Sequence, residues 1–228
     1  MLSPGIIFIL LVAVTIVAIY AQFRVRSAVN KFSQIRTQRG MTGAEVAQEL
    51  LHDAGIYDVE IAAAESFLGD HYDPSKKQLC LSPGIYGSQS VAAAGIAAHE
   101  CGHAIQHAQG YQPLKARMAV VPVTQVASTL LPFIVIGGFW FGLFRYKPIL
   151  DLGIMIYAIL TVFQLITLPV EFDASRRAKL VLTQRGIVTQ EESAGVNTVL
   201  NAAALTYVAA FLSALFHLLQ LIVLRERD

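Results

Sequence analysis

Four long apolar runs divide the chain, and polar, mixed sequence lies between them. Residues 3–22 carry no charge and are dominated by Ile, Leu, Val and Phe. Three further runs cover residues 119–144, 149–170 and 203–224. Each run is long enough for a helix to cross the hydrocarbon core of a bilayer. The pattern therefore predicts four membrane-spanning helices.

The first run is predicted to be a retained anchor. A signal peptide is the competing interpretation, but no basic residue precedes the run and no small-x-small cleavage site follows it. Arg24 and Arg26 come directly afterwards and open a basic cluster that continues to Arg39. Because positive residues collect on the cytoplasmic side of membranes, this cluster predicts that both chain termini lie outside.

Composition supports an integral membrane protein in a lipid bilayer. Of the 228 residues, 55% are hydrophobic and 14% are charged, and the mean hydropathy is +0.55. An ordinary soluble domain is less apolar and more highly charged. The net charge of +1 gives no indication of a nucleic-acid partner, and two distant cysteines give no disulfide framework.

The first polar segment, residues 36–118, mixes helical and strand patterns. Thr42 and Glu45 have the spacing of a capping box, which predicts a short helix that ends near Gly55. Residues 57–62 and 77–82 resemble strands, with a turn-rich stretch at 69–74 between them. The second strand is predicted either to offer a free edge to an extended substrate or to form a simple hairpin that supports the next helix.

That next helix carries the sequence His-Glu-Cys-Gly-His. Residues four apart on a helix point in nearly the same direction, so His99 and His103 can hold one Zn²⁺ ion. Glu100 then lies beside the metal, where a carboxylate can take a proton from an activated water and pass it to a leaving amine. The residues predict the chemistry of peptide hydrolysis.

Buried, hydrogen-bonded core residues are the alternative interpretation of this motif. Residues 91–98 are small or apolar and carry no charge, so two imidazoles and a carboxylate would be costly to bury there without a partner. Cys101 falls about 200° around the helix from His99 and is predicted to pack as a small apolar residue. His107 extends the histidine face by one turn and is predicted to support the site or lie at the surface.

A carboxylate beyond the third apolar run completes the predicted metal site. Glu171 is the expected third ligand, because basic residues after it place that end on the same side as His99 and His103. Asp173 and Arg177 have the spacing of an i,i+4 ion pair. His217 lies deep in the fourth run, where a histidine is either functional or bonded to a neighbouring helix.

These residues resemble a known family. The stretches at 70–74, 79–82, 97–106 and 169–177 resemble the YugP-type membrane zinc metallopeptidases of bacteria, and the resemblance covers nearly the whole chain. A more distant similarity extends to HtpX and the CAAX prenyl endopeptidases, in which a Glu of a Glu-Phe-x-Ala-Asp motif is the third ligand. The resemblance assigns that role to Glu171. Ser175 occupies the position of the supporting Asp.

The sequence thus predicts a mainly α, four-span membrane protein with a small cytoplasmic α+β portion of the zincin-like, gluzincin type. One Zn²⁺ ion per chain would be bound by His99, His103 and Glu171, with Glu100 as general base and then acid. The substrate would be a peptide or protein, and the location the bacterial cell membrane. The predicted segments are span 1 (1–22), the metallopeptidase portion (23–118), a hairpin of spans 2 and 3 (119–170), the third-ligand helix (171–202), and span 4 with a short tail (203–228).

The oxyanion stabiliser and two alternative functions stay open. Candidates for supporting the site or stabilising an oxyanion are His107, Ser175, Arg176, Arg177 and His217. An intramembrane protease of the site-2 type would take Asp151 as a ligand, but the predicted topology places Asp151 at the opposite face from His99. A non-catalytic metal or haem binder would use the same histidines without needing Glu100.

Overall fold

The computed structural model describes residues 4–64 and 69–226 and is mainly helical. Residues 1–3 of the first predicted span and 227–228 of the tail lie outside the described residues. A short 3₁₀ helix covers Leu143–Arg145. The other elements, in chain order, are α1 (Pro4–Ser33), α2 (Gly43–Asp53), β1 (Glu60–Ala63), β2 (His71–Asp73), β3 (Gln78–Leu81), α3 (Pro83–Tyr86), α4 (Val91–Ala108), α5 (Gln112–Trp140), α6 (Lys147–Gln184) and α7 (Gln190–Arg225).

Within residues 4–64 and 69–226, four helices are long and apolar enough to cross a membrane, as the hydropathy pattern predicts. They are α1, α5, α6 and α7. Helix α5 begins before its apolar run but ends at Trp140, earlier than the predicted residue 144. The other three extend beyond the ends of their runs, and α6 continues to Gln184 although its run ends at residue 170. A helix that has formed can continue through polar sequence, because each further residue adds a backbone hydrogen bond. Hydropathy identifies only the segment that is apolar enough to lie in the bilayer. Residues predicted to follow the third span therefore belong to the same helix.

The chain forms two compact units. The first, here the apolar unit, contains the described residues of Met1–Ala21 together with Ala116–Leu168 and Thr206–Asp228. Within it, Phe144, Leu150 and Leu221 form a buried cluster. The second, here the polar unit, contains Gln22–Lys115 and Pro169–Leu205.

The core of the polar unit is built where α2 packs on α4. Val46, Leu50 and Leu51 on α2 are almost fully buried, and they belong to one core with the alanine-rich face of α4. Small side chains on α4 let the larger ones of α2 approach closely and exclude water. Cys101 lies in this core with no exposed surface, as predicted, and burial raises the pKa of its thiol far above the ordinary range.

The predicted start of α2 is confirmed in detail. The Thr42 side chain accepts a hydrogen bond from the backbone N–H of Glu45, while the Glu45 carboxylate accepts one from the backbone N–H of Thr42. This reciprocal pair satisfies two of the backbone donors that a helix start leaves unpaired. After the helix, Gly55 adopts a φ of 71°, a left-handed conformation that glycine takes without strain.

The sheet corrects the prediction for the strand before the metal helix. Its order is β1-β3-β2, with β1 parallel and β2 antiparallel to β3. Leu79 on β3 is paired with Ile61 on one side and with Tyr72 on the other. The central strand β3 therefore has no free edge for a substrate. The sequence pattern did not predict β2, because this strand is only three residues long and lies inside the stretch predicted to be rich in turns.

Candidate metal centre

Helix α4 presents the two histidines of the motif side by side. Ser90 caps the helix by accepting a hydrogen bond from the backbone N–H of Ala93. His99 and His103 follow two and three turns later, with their ring centroids 4.8 Å apart and the rings nearly perpendicular. His103 is buried and His99 is partly buried. The histidines thus lie one turn apart on one face of a well-defined helix.

Glu171 on α6 meets both rings. Its Oε2 atom lies 3.2 Å from Nε2 of His99 and 3.6 Å from Nε2 of His103. The residue is only 2% exposed. One ligand atom from each of the three residues lies within 4.8 Å of the others, so the cluster can hold a metal ion. The structure therefore brings together the three residues that the sequence predicts as ligands.

The electrostatics of this cluster favour a cation. Burial of His103 opposes protonation of its ring, but the hydrogen bond that the ring donates to Glu171 and the negative charges of Glu100 and Glu171 outweigh burial and raise the pKa of His103. The same negative charges would attract a metal dication. Two imidazole nitrogens and one carboxylate oxygen are a common protein ligand set of catalytic zinc, so the residues present fit this ion.

The other ring nitrogen of each histidine also has a polar partner. Nδ1 of His99 lies 3.2 Å from Oγ of Ser175, and Nδ1 of His103 lies 3.0 Å from Oε1 of Gln106. The sequence did not single out Gln106, although it lies three residues after His103 and hence on the same helix face. Gln106 has no exposed surface, and its amide also donates to α6.

Glu100 and Gly102 lie between the ligands on α4. Glu100 is 7% exposed, which places a carboxylate in the buried surroundings of the site. A Cβ atom added to Gly102 would lie 2.9 Å from the carbonyl oxygen and 3.0 Å from the Cα atom of Ala174. Only glycine therefore permits the observed approach of the α4 and α6 backbones. Residue spacing alone does not reveal that Gly102 permits this close approach of the two helices.

Both arginines named as candidates contact the same carboxylate, that of Asp173. Arg176 forms an ion pair with Oδ1 of Asp173, and Arg177 forms one with Oδ2, which includes the predicted i,i+4 pair. Arg177 also donates to the side-chain oxygen of Gln109. Asp173 itself accepts a hydrogen bond from Gln106, not from a histidine. Both arginines thus contact the carboxylate that accepts from Gln106, and Gln106 is the side chain next to Nδ1 of His103.

The remaining candidate histidines have other neighbours. Nδ1 of His107 lies 2.9 Å from the hydroxyl oxygen of Tyr72, which joins α4 to β2. Burial raises the pKa of the Tyr72 hydroxyl, as do the charges of Asp58 and Asp73. His217 belongs to the apolar unit, where its ring lies 5.2 Å from that of Tyr157. Sequence spacing alone does not reveal either tyrosine partner.

Comparison with known proteins identifies the class. A family model described as "Putative neutral zinc metallopeptidase" matches residues 7–226, so the chain belongs to this family. The chain is also 43% identical over 211 residues to the "Putative membrane protease YugP" of Bacillus subtilis (strain 168), and the match covers 92% of each protein. No solved structure matches the chain. The resemblance read from the motifs is confirmed, and with four apolar helices the chain is an integral membrane protein of a zinc peptidase family.

We predict that Gly102→Ala weakens both folding stability and zinc binding. The added methyl group would meet backbone atoms of α6, which cannot rotate away, so the two helices must separate. Overpacking of this kind costs about 1–3 kcal/mol. Thermal unfolding and zinc affinity, measured by competition with a chromophoric chelator, test the prediction.

Gly84→Ala is the matched control for this change. An added Cβ at Gly84 meets no atom within 4 Å, so stability and zinc affinity should stay at the wild-type values. If Gly102→Ala behaves like this control, the close approach of α4 to α6 does not hold the metal centre together.

We also predict that Glu171→Gln loses bound zinc, whereas Asp173→Asn retains most of it. Glu171 faces both Nε2 atoms, but Asp173 faces the amide of Gln106. Losing the carboxylate removes one of three protein ligands and the charge that offsets the dication. Zinc content measured on the two purified variants decides between them. Full occupancy in Glu171→Gln with loss in Asp173→Asn would show that Asp173 is the ligand instead.

Proposed function

We propose that the protein is a zinc-dependent endopeptidase of the membrane and that His99, His103 and Glu171 hold its single zinc ion. The observation that carries this proposal is the approach of Glu171 to Nε2 of both histidines. Membership in a zinc peptidase family supports the same conclusion. The substrate is then a peptide or protein.

Glu100 is the proposed general base and then acid. When bound, zinc supplies Lewis-acid activation of the attacking water and of the scissile carbonyl. Glu100 takes the proton that this water releases and passes it to the nitrogen of the leaving amine. Its position directly after His99, together with its burial, supports this role.

The site is proposed to face the cytoplasm, in a polar portion of the zincin-like, gluzincin type. All but four of the seventeen Lys and Arg residues would then lie on the cytoplasmic side, and both termini would lie outside. This topology divides the chain into five segments, which are residues 1–22, 23–118, 119–170, 171–202 and 203–228. An extended substrate that adds a strand must pair with an outer strand, because β3 is central.

The site-2-type alternative is disfavoured by the surroundings of Asp151. In the apolar unit, Asp151 forms an ion pair with Arg225, so its carboxylate already has a cationic partner. In the described part of the chain, the only cluster suited to a metal contains Glu171 and the two histidines of α4. Glu171 therefore provides the carboxylate that this alternative would take from Asp151.

We predict that Glu100→Gln keeps zinc but loses peptidase activity. The amide cannot accept the proton, whereas the three ligands are unchanged. General acid–base catalysis contributes about a hundred- to ten-thousandfold in rate, and a loss of at least this size is expected. Zinc content and the cleavage rate of an unfolded protein substrate are measured on the same detergent-purified sample.

The same variant separates an enzyme from a metal-binding protein. A protein that only binds metal has no use for Glu100, so its function would survive the substitution. Addition of a chelator should abolish wild-type cleavage, and added zinc should restore it. Cleavage at the wild-type rate by zinc-loaded Glu100→Gln would refute the mechanism.

A labelling experiment tests the proposed sidedness. In a background of Cys80→Ser and Cys101→Ala, we expect Lys76→Cys and Gln184→Cys to resist an impermeant thiol reagent in whole cells. Lys147→Cys, at the start of α6, should react. All three positions are exposed, so each should label after the cells are broken open. Labelling at Lys76→Cys from outside would place the site in the other compartment.

A further inference from the structure

Gln106 is the buried polar residue that the proposed chemistry does not use. Its side chain has no exposed surface, yet all of its hydrogen-bonding atoms face polar partners. Burying an amide is costly unless its donors and acceptor are satisfied. The arrangement around Gln106 is complete, and one of its partners is His103.

The orientation of the Gln106 amide follows from its partners on α6. Nε2 lies 2.8 Å from the carbonyl oxygen of Val170 and 3.0 Å from Oδ2 of Asp173. A carbonyl oxygen can only accept hydrogen bonds, and a carboxylate paired with two guanidinium groups also accepts. Both positions therefore require a donor, which only the NH₂ end of the amide provides. The amide cannot be turned over without placing its oxygen against two acceptors.

This orientation determines which nitrogen of His103 carries the proton. With the NH₂ end directed to α6, the amide oxygen faces Nδ1 of His103 at 3.0 Å. That oxygen has no proton to give, so Nδ1 must be the donor. A ring that keeps this hydrogen on Nδ1 offers Nε2, the nitrogen that faces Glu171, to a bound metal ion.

We propose that Gln106 is a positioning residue that selects the metal-binding tautomer of His103, and that Asp173, held by Arg176 and Arg177, fixes the direction of the Gln106 amide. The inference rests on the proposed zinc site. It adds to that site a series of side-chain contacts. They run from His103 on α4 through Gln106 and Asp173 to Arg176 and Arg177 on α6. The mechanism described above assigns none of these four residues a contact with the substrate.

The first test removes the amide. Gln106→Leu keeps the approximate size of the side chain but supplies no acceptor for His103. Partners of this kind are generally worth ten- to a hundredfold in metal affinity, so we expect zinc affinity to fall by about that factor. Gln109→Glu is the control, since Gln109 directly follows α4 and its side chain accepts a hydrogen bond from Arg177, not from a histidine ring. The control should bind zinc like the wild type.

The second test reverses the polarity of the contact between positions 106 and 173. Gln106→Glu retains an acceptor for His103, but it places a second carboxylate beside Asp173, so zinc affinity should fall. Adding Asp173→Asn should restore part of the lost affinity, because the new amide can donate to the glutamate while the Val170 carbonyl still lacks its donor.

The third readout observes the tautomer without any enzyme assay. In full-length Glu171→Gln with ¹⁵N-labelled histidine, which lacks the carboxylate that would draw a proton to Nε2, His103 should carry its proton on Nδ1 at a pH where the rings are neutral. Its signal is identified by its loss when His103→Gln is added. Adding Gln106→Leu should instead make the same ring a mixture of tautomers. This measurement does not use Gln106→Glu, so it stands even if that variant does not fold.

The outcomes separate this inference from the proposed function. Three results would each overturn the positioning role: wild-type zinc affinity in Gln106→Leu, a double variant no better than Gln106→Glu, or a His103 protonated on Nε2 in Glu171→Gln. Failure of zinc-loaded wild type to cleave protein would overturn the proposed function instead. The affinity and tautomer measurements would keep their meaning in that case.

Discussion

The close contact of two helix backbones at Gly102 and Ala174 is the constraint on which the proposed metal centre depends. Because no side chain separates α4 from α6 there, Glu171 reaches the two imidazoles and Gln106 reaches the Val170 carbonyl. A longer separation would leave a buried carboxylate and a buried amide without their partners, which is far more costly than a lost surface contact. The absence of a side chain at Gly102 thus determines how closely Glu171 approaches His99 and His103.

Charge balance is the second requirement, and it couples the site to stability. Glu171 is almost fully buried between two rings that are neutral when they act as ligands. A bound dication would offset this charge, so metal binding and folding are expected to support each other. The surrounding contacts of Ser175, Gln106 and Asp173 then hold the donor atoms in place, as rigid support is needed for a defined coordination geometry.

Elements with a strong local signal could be predicted from the sequence, and elements that depend on distant partners could not. The Thr42 and Glu45 cap is a contact within one turn, and the four apolar helices follow from composition over about twenty residues. Strand β2 was missed because three residues carry little periodicity and its pairing with β3 is a tertiary choice. The assumed free edge of β3 was wrong for the same reason.

The sequence by itself determined the family, the membrane class and the pair of histidines on one helix face, because helical periodicity relates residues four apart without help from the rest of the chain. It also singled out Glu171, through a motif that resembles those of related peptidases. Only the tertiary structure decided which residues support the ligands. These residues are Gln106, Gly102 and Asp173, which make contacts across the α4 and α6 interface. A contact between residues more than sixty positions apart produces no periodic pattern in a single sequence.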